Sequence, residues 1–289
     1  MEILHAIVLG IVQGLSEFLP ISSSGHLELT RWLFGWDALD EDLETAFDVA
    51  VHLGTLVGAI AYLWRDVVKY VTAGFAPLRG QPLGTDGKIA WFLVASAVPA
   101  GITGVLLKDQ IADLDRIWVI AVMLIVFGLL LLVADRLPEK KELEEFRLRD
   151  ALAMGVGQAL ALQPGVSRSG ATLTVSRFLG YDRDAAARLV FLMSLPIIAG
   201  AGVFALADAS IPSDFWPPFL WGMASSAVTG WVAVWGTLKP VRSRTFTPFV
   251  GMRINLPDWL MSIASSSPVT THEPTTGPLR GEVLMSIRP

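Results

Sequence analysis

Five segments of the chain each hold about 20 mostly apolar residues, the length that a helix needs to cross a hydrocarbon core about 30 Å thick. These segments are residues 47–64, 89–107, 117–134, 186–207 and 215–236. Lipid offers no hydrogen-bond partners, so spanning backbone must satisfy its own N–H and C=O groups, as a helix does. We therefore predict an all-α integral membrane protein with about five to six transmembrane helices.

The overall composition agrees with this class and excludes others. Hydrophobic residues make up 53% of the chain and charged residues 17%, which is more apolar side chain than a soluble core of this size buries. The net charge of −5 argues against nucleic acid as a partner, because nucleic-acid binding needs a basic surface. The chain has no cysteine, so any metal site would use oxygen or imidazole ligands.

The distribution of Lys and Arg predicts the orientation in the membrane. Threading the five spans alternately places thirteen Lys and Arg residues in loops on one side and three on the other. Cytoplasmic loops carry the excess of positive charge in membrane proteins. We therefore expect the loops 65–88, 136–150 and 239–253 to face the cytoplasm.

Two further segments begin apolar and then become polar, with Pro and Gly, which suits a re-entrant hairpin better than a full span. They resemble each other, because Gln13 and Gln158 stand in similar Gly-rich runs that reach Pro20 and Pro164 and then end in Ser-Gly. Each is followed by an apolar span. We expect an inverted-topology repeat with halves at about 1–135 and 136–254, whose hairpins meet at a functional site. The alternative is chance similarity between Gly- and Leu-rich segments.

The first hairpin carries a group of polar residues suited to catalysis. Gln13 and Glu17 are four residues apart and share one helix face, and an ionisable group at membrane depth is a functional candidate. Ser22, Ser23 and His26 follow within a few residues, and hydroxyls beside an acid and a base are what nucleophilic catalysis requires. The alternatives are an Arg partner for the acid, helix capping for the serines and a structural role for the imidazole.

The second hairpin has the character of an anion-binding site. Arg168 offers planar, bidentate donors that match phosphate oxygens, and a Gly-rich turn into a helix adds backbone N–H donors. Ser167 and Ser169 flank it, with Ser169 expected to cap the helix and Thr172 to face the ligand. Arg168 would also reach Glu17 if the hairpins meet. The alternative is an ion pair that only locks the two halves together.

One histidine outside the hairpins lies within a predicted span. His52 follows Asp48 by four residues, which is one helical turn. We interpret His52 as a partner of that aspartate.

These residues resemble the undecaprenyl-diphosphate phosphatase family, also called the bacitracin-resistance family. The family's first motif is Glu or Gln, three residues, Glu, then Phe-Leu-Pro-x-Ser-Ser-x-Gly-His, and it is matched by Gln13, Glu17 and residues 18–26. Its second motif, Pro-Gly-x-Ser-Arg-Ser-x-x-Thr, is matched by residues 164–172. Weaker similarity extends over roughly the first 250 residues.

The resemblance implies hydrolysis of a polyprenyl diphosphate to the monophosphate and inorganic phosphate. This reaction recycles the lipid carrier of cell-wall peptidoglycan synthesis and confers bacitracin resistance. The resemblance also implies the bacterial plasma membrane, membrane lipids around the protein, a site that opens to the outer side, and assistance by Mg²⁺ or Ca²⁺. A homodimer is left open.

The resemblance also assigns roles to residues. Glu17 would bind metal or activate water, Ser23 matches the family's proposed nucleophile, His26 would act as base or acid, and Arg168 would clamp the diphosphate. With Gln in place of a second Glu, metal binding should be weaker, because hard cations prefer charged oxygen ligands. Attack by Ser23 and attack by water both stay open. The other expected substrate-binding residues are Gln13, Ser22, Ser167, Ser169 and Thr172.

Two other functions compete with this one. A second class of lipid phosphatases needs a catalytic His shortly after its Ser-Arg, but only His272 follows here. A polyprenyl-phosphate transporter or flippase without hydrolysis remains the alternative, since inverted repeats are a transporter architecture. The chain departs from the family at residues 255–289, an atypical polar tail with the composition of a disordered segment, so a single membrane domain is expected over 1–254.

Overall fold

The computed structural model describes residues 1–36, 39–107, 110–111, 117–207, 211–241 and 245–253. These residues form helices and connecting turns without any β-strand, so the all-α prediction is confirmed. The α-helices are α1 (Ile3–Glu17), α2 (Ser23–Phe34), α3 (Glu41–Tyr62), α4 (Trp64–Gly74), α5 (Thr85–Ala95), α6 (Ala97–Leu106), α7 (Ile117–Asp135), α8 (Leu148–Leu160), α9 (Arg168–Phe178), α10 (Arg183–Ala207) and α11 (Trp216–Val241). Residues 247–253 are also helical.

Four of the predicted spans are confirmed by the length and apolar composition of their helices. They are Asp42–Tyr62, Thr85–Leu106, Trp118–Asp135 and Arg183–Val203. The fifth predicted span is α11, whose 26 residues extend about 39 Å at 1.5 Å per residue. Its sequence contains four Trp, three Gly and two Ser residues among its apolar side chains. The predicted polar tail, residues 255–289, lies outside the described residues.

The second span is interrupted in its middle, between α5 and α6. Ser96 forms a turn there, three residues before Pro99, which has no N–H to donate to the helix. The carbonyl oxygen of Ser96 accepts a hydrogen bond of 3.1 Å from Nε2 of Gln158 on α8. The interruption therefore provides an acceptor for a buried amide of the other half.

Two segments predicted as cytoplasmic loops contain helix instead. Segment 65–88 includes most of α4, an amphipathic helix that buries Tyr70 and exposes Val68 and Val71. In segment 239–253, α11 continues to residue 241 and residues 247–253 are helical. Arg253, counted among the loop charges, is fully buried. A sum of loop charges missed this because it takes no account of tertiary packing.

The two predicted hairpins are present and share an unusual backbone conformation. The first consists of α1, the turn 18–22 and α2, and the second of α8, the turn 161–167 and α9. Ser22 and Ser167 occupy equivalent positions, with φ of 70° and 63°, and no other non-glycine residue of the described part has positive φ. Their ψ angles are also similar, at 98° and 116°. Because positive φ is costly for serine, its recurrence supports a true repeat over chance similarity.

The halves are interlocked, because the first helix of each hairpin packs on a span of the other half: α1 on α11, and α8 on the interrupted span formed by α5 and α6. On α1, a Cβ atom at Gly10 would lie 2.4 Å from the carbonyl oxygen of Gly222 on α11. On α8, a Cβ atom at Gly155 would lie 2.4 Å from the carbonyl oxygen of Ser96. Glycine permits this close helix contact in both places. The crossed packing is the arrangement expected of an inverted-topology repeat and brings the two hairpin turns together.

Candidate active site

The turns of the two hairpins meet and bond to each other directly. The hydroxyl of Ser169, in the first turn of α9, donates a 2.8 Å hydrogen bond to the carbonyl oxygen of Leu19. The guanidinium of Arg168 donates to the Glu17 carboxylate at the end of α1. The structure therefore brings together the two motifs that the sequence singled out.

Glu17 lies at the centre of this contact and is only 6% exposed. One carboxylate oxygen, Oε2, accepts a hydrogen bond of 2.8 Å from Gln13 Nε2 and one of 2.7 Å from Ser23 Oγ. The same oxygen lies 3.3 Å from His52 Nε2. The other oxygen, Oε1, accepts from Arg168. Residues from α1, α2, α3 and α9 thus converge on one buried carboxylate.

His52 was missed as a site residue. Its Nδ1 lies 2.6 Å from the backbone carbonyl oxygen of Asp48, and a carbonyl only accepts, so Nδ1 donates and Nε2 faces Glu17. His52 is thus a partner of Asp48 through its backbone carbonyl, whereas the Asp48 carboxylate binds Arg31. An ionisable residue within an apolar span is itself a functional signal, and that signal could have identified His52.

His26 lies beside the same turn but does not bind Glu17. Its Nδ1 is 2.7 Å from the carbonyl oxygen of Ser22, so Nδ1 donates there. In the neutral ring, Nε2 then carries the free lone pair. Ser22 is buried at the N-cap position of α2 but makes no capping hydrogen bond with its side chain, so capping does not explain it.

The second turn differs in detail from the expectation. The cap of α9 is Ser167, whose Oγ accepts a 3.3 Å hydrogen bond from the Gly170 N–H, and not Ser169. Thr172 is 1% exposed and its hydroxyl donates to the carbonyl oxygen of Arg168 at 2.8 Å. In this structure the hydroxyl of Thr172 thus bonds within α9, and its contact with a ligand stays a prediction. Side-chain direction within a short helix could not be read from motif spacing.

The geometry gives the site an accessible side that suits an anion. In the ion pair, the Glu17 side chain is 3% exposed and the Arg168 side chain 24%. Arg168 is also the first residue of α9, where unpaired backbone N–H groups and the helix dipole favour negative charge. A phosphate group approaching from this side would meet the guanidinium and the helix N-terminus together.

The described residues offer only part of a metal site. They contain no group of three His, Asp or Glu side chains placed to hold an ion. Gln13 Oε1, however, is buried and lacks a hydrogen-bond partner within the described part of the chain. That oxygen and the Glu17 carboxylate could serve a cation whose other ligands are substrate phosphates and water, as is usual for Mg²⁺.

Together these features define a helical membrane protein in which two interlocked halves meet at one polar site with a partly exposed guanidinium. Residues 6–257 match the family model described as bacitracin resistance protein BacA. The chain belongs to this family.

Curated relatives agree over almost their whole length. An undecaprenyl-diphosphatase from Moorella thermoacetica is 42% identical over 265 residues, which cover 91% of this chain and 98% of the relative. One from Geobacter sulfurreducens is 44% identical over 260 residues, covering 88% and 95%. A third, from Thermomicrobium roseum, is 41% identical over 279 residues, covering 92% and 99%.

The ion pair between Glu17 and Arg168 should couple the two halves energetically. We expect Glu17→Gln and Arg168→Met each to cost about 1–3 kcal/mol, because either one removes a partner from a charge. The cost stays below that of a fully buried pair, since Arg168 is 24% exposed and Glu17 keeps its other partners. The double variant should cost less than the sum of the two. The measurement is a double-mutant cycle. The apparent melting temperature in detergent is determined for the unchanged protein, the two single variants and the double variant.

A suitable control is the cycle for Lys69 and Asp86, whose side chains are 46% and 38% exposed. This solvent-screened pair should show a coupling of less than about 1 kcal/mol. Additive effects of Glu17→Gln and Arg168→Met would contradict a coupled pair at the hairpin contact.

Proposed function

We propose that the protein is an undecaprenyl-diphosphate phosphatase, which converts the polyprenyl diphosphate to undecaprenyl phosphate and inorganic phosphate. The observation that carries the proposal is the 2.7 Å hydrogen bond from the Ser23 hydroxyl to the Glu17 carboxylate, beside the accessible guanidinium of Arg168. It joins a nucleophile, a proton acceptor and a phosphate-binding cation in one site. The names and coverage of the relatives support the same activity.

Substrate binding depends on charge. Arg168 binds oxygens of the terminal phosphate with its planar donors, and the N-terminal N–H groups of α9 add to the positive field. The Glu17 carboxylate holds the guanidinium in place from behind. Phosphoryl transfer needs mainly positioning and neutralisation of oxygen charge, which these groups supply.

In the first chemical step, Ser23 Oγ attacks the terminal phosphorus. The hydroxyl proton passes to Glu17, a new bond forms between Oγ and phosphorus, and the bond from phosphorus to the bridging oxygen breaks. The bridging oxygen keeps the electron pair and leaves as the polyprenyl monophosphate. In the second step, water attacks the phosphorus of the phosphoserine while Nε2 of His26 accepts a proton from that water. The bond from phosphorus to Oγ breaks, inorganic phosphate leaves, and Ser23 Oγ takes back the proton held by Glu17.

Gln13 and Glu17 would hold a divalent cation, Mg²⁺ or Ca²⁺, together with the substrate. The buried, unpaired Oε1 of Gln13 supports this assignment. When bound, the cation supplies positive charge that offsets the charge of the phosphate oxygens. Only one of the two side chains is charged, so the substrate must contribute much of the binding.

The proposed setting is the bacterial plasma membrane, with the site open to the outer side, where the reaction recycles the lipid carrier of peptidoglycan synthesis. Removing the diphosphate form would also account for bacitracin resistance. A transporter of polyprenyl phosphate would need the anion-binding site but not the bond from Ser23 to Glu17. That bond favours hydrolysis over transport without chemistry.

The test of the function is phosphate release from undecaprenyl diphosphate by the purified protein in detergent with Mg²⁺ or Ca²⁺. We expect turnover by the unchanged protein and a loss of about 100- to 1000-fold in kcat/KM for Arg168→Ala, because a donor to the transferred phosphate is removed. Arg188→Ala is the matched control, since Arg188 is also partly buried and ion-paired, with Asp66 and Asp184. Tight lipid binding without turnover would instead favour the transporter.

A second prediction concerns His52, which orients the catalytic carboxylate. We expect His52→Phe to lower kcat about 10- to 100-fold with little change in KM, because Glu17 loses a partner that fixes its position toward Ser23. His5→Phe is the control, since His5 stacks on Trp36 at the start of α1 and Phe preserves the stacking. Steady-state kinetics on both variants would test this role. An unchanged kcat in His52→Phe would show that His52 does not position the carboxylate.

A third prediction tests the cation site. Gln13→Glu adds a second carboxylate, so we expect the cation concentration at half-maximal activity to fall several-fold. Calorimetric titration of Ca²⁺ in the presence of inorganic pyrophosphate should show tighter binding as well. The control is Gln81→Glu, which adds the same negative charge at an exposed position outside both hairpins. Equal cation dependence in the two variants would place the cation elsewhere.

A further inference from the structure

Arg253 is a fully buried residue that no signature motif includes. Its guanidinium donates to the carbonyl oxygens of Gly165 at 3.0 Å and Val166 at 2.9 Å, both in the turn of the second hairpin. It also donates, at 3.5 Å, to the carbonyl oxygen of Pro20 in the turn of the first. Its Nε donates to Leu124 of α7 at 3.3 Å. One side chain thus binds the backbone of both turns and of a spanning helix.

The charge of Arg253 lacks an acidic partner in the described part of the chain. All the hydrogen-bond acceptors given above are carbonyl oxygens. The other fully buried arginine of the described residues, Arg177, differs, because Asp135 and Glu139 lie 3.9 Å and 3.6 Å from it. A buried charge without a counter-ion is unfavourable. Its presence beside the two turns therefore indicates a functional role.

The neighbouring backbone connects Arg253 to the phosphate site. The carbonyl of Val166 faces Arg253, and the peptide bond between Val166 and Ser167 is trans, so the N–H of Ser167 in that peptide points the opposite way. Ser167 caps α9, and Arg168 follows it directly. Arg253 therefore fixes the orientation of the peptide from which the anion-binding helix starts.

We propose that Arg253 is a positioning residue that holds the two hairpin turns in register for catalysis, and that the bound diphosphate balances its charge. The proposal rests on the proposed phosphatase function for its kinetic consequence. Without Arg253, the helices that begin after the two turns still carry Ser23 and Arg168. The distance between the nucleophile and the bound phosphate, however, is no longer fixed. Such misplacement affects kcat and the affinity for the diphosphate head group.

The first test compares Arg253→Lys with Arg177→Lys. Both keep the charge and remove a planar donor group from a fully buried site, but Lys cannot span the carbonyls of both turns. We expect Arg253→Lys to lower kcat/KM about 10- to 100-fold, mainly through kcat, and to weaken binding of inorganic pyrophosphate. Arg177→Lys should lower the melting temperature while kcat/KM of its folded fraction stays near that of the unchanged protein.

A second test uses the contact between Arg253 and Gly170. A Cβ atom at Gly170 would lie 2.4 Å from Arg253 Nη1, whereas a Cβ atom at the equivalent Gly25 meets nothing closer than 3.8 Å. Gly170→Ala therefore pushes on the guanidinium without removing it, which matters if the Arg253 variants fold poorly. We expect Gly170→Ala to lower kcat in the unchanged background and much less in Arg253→Lys, while Gly25→Ala shows no such coupling to Arg253.

The outcomes separate this proposal from the proposed function. If the unchanged protein releases no phosphate, the function fails, and pyrophosphate binding, measured by calorimetry, still tests Arg253. If the unchanged protein turns over but Arg253→Lys keeps its kcat/KM and its pyrophosphate affinity, the positioning role is wrong. Equal kinetic losses in Arg253→Lys and Arg177→Lys would show a general effect of destabilisation and would also overturn it.

Discussion

The structure depends on how a single carboxylate, Glu17, is accommodated in a helical membrane protein. A buried acid is unfavourable unless donors surround it, and here those donors come from α1, α2, α3 and α9. No one of these helices could satisfy Glu17 alone. The requirement to neutralise this group therefore determines how the two hairpins approach each other, and the same donors leave an arginine and a serine facing the substrate side.

The repeat produces two similar hairpins but only one polar site. The position equivalent to Glu17 is Leu162, and the position equivalent to Arg168 is Ser23. The first half thus contributes the acid and the hydroxyl, and the second half contributes the cation. Gln13 bonds to Glu17, while the equivalent Gln158 bonds to the backbone of Ser96. The two hairpins thus share a backbone arrangement but differ in their polar side chains, which the proposed function assigns to chemistry in the first half and to anion binding in the second.

Sequence reasoning predicted the parts that depend on local pattern. Span length, the two hairpins and the residues of both motifs follow from hydropathy, Pro and Gly placement and spacing, and Glu17, Ser23 and Arg168 do lie together. His52 and Arg253 were not predicted as site residues, because each contacts the site through tertiary interactions between elements distant in sequence. The capping role of Ser167 and the inward direction of Thr172 depend on backbone angles in the turn, which residue spacing does not determine.

The crossed packing has a consequence for how the chain is made. α1 is synthesised first, but its partner α11 comes more than 200 residues later, and Arg253 comes later still. Glu17 lacks its partner Arg168 until the second hairpin is made, and the face of α1 that carries Gly10 lacks its partner helix until α11 is made. The nascent first half must therefore wait in the membrane in an unfinished state. These contacts between the halves therefore form late, only after α11 and Arg253 have been synthesised.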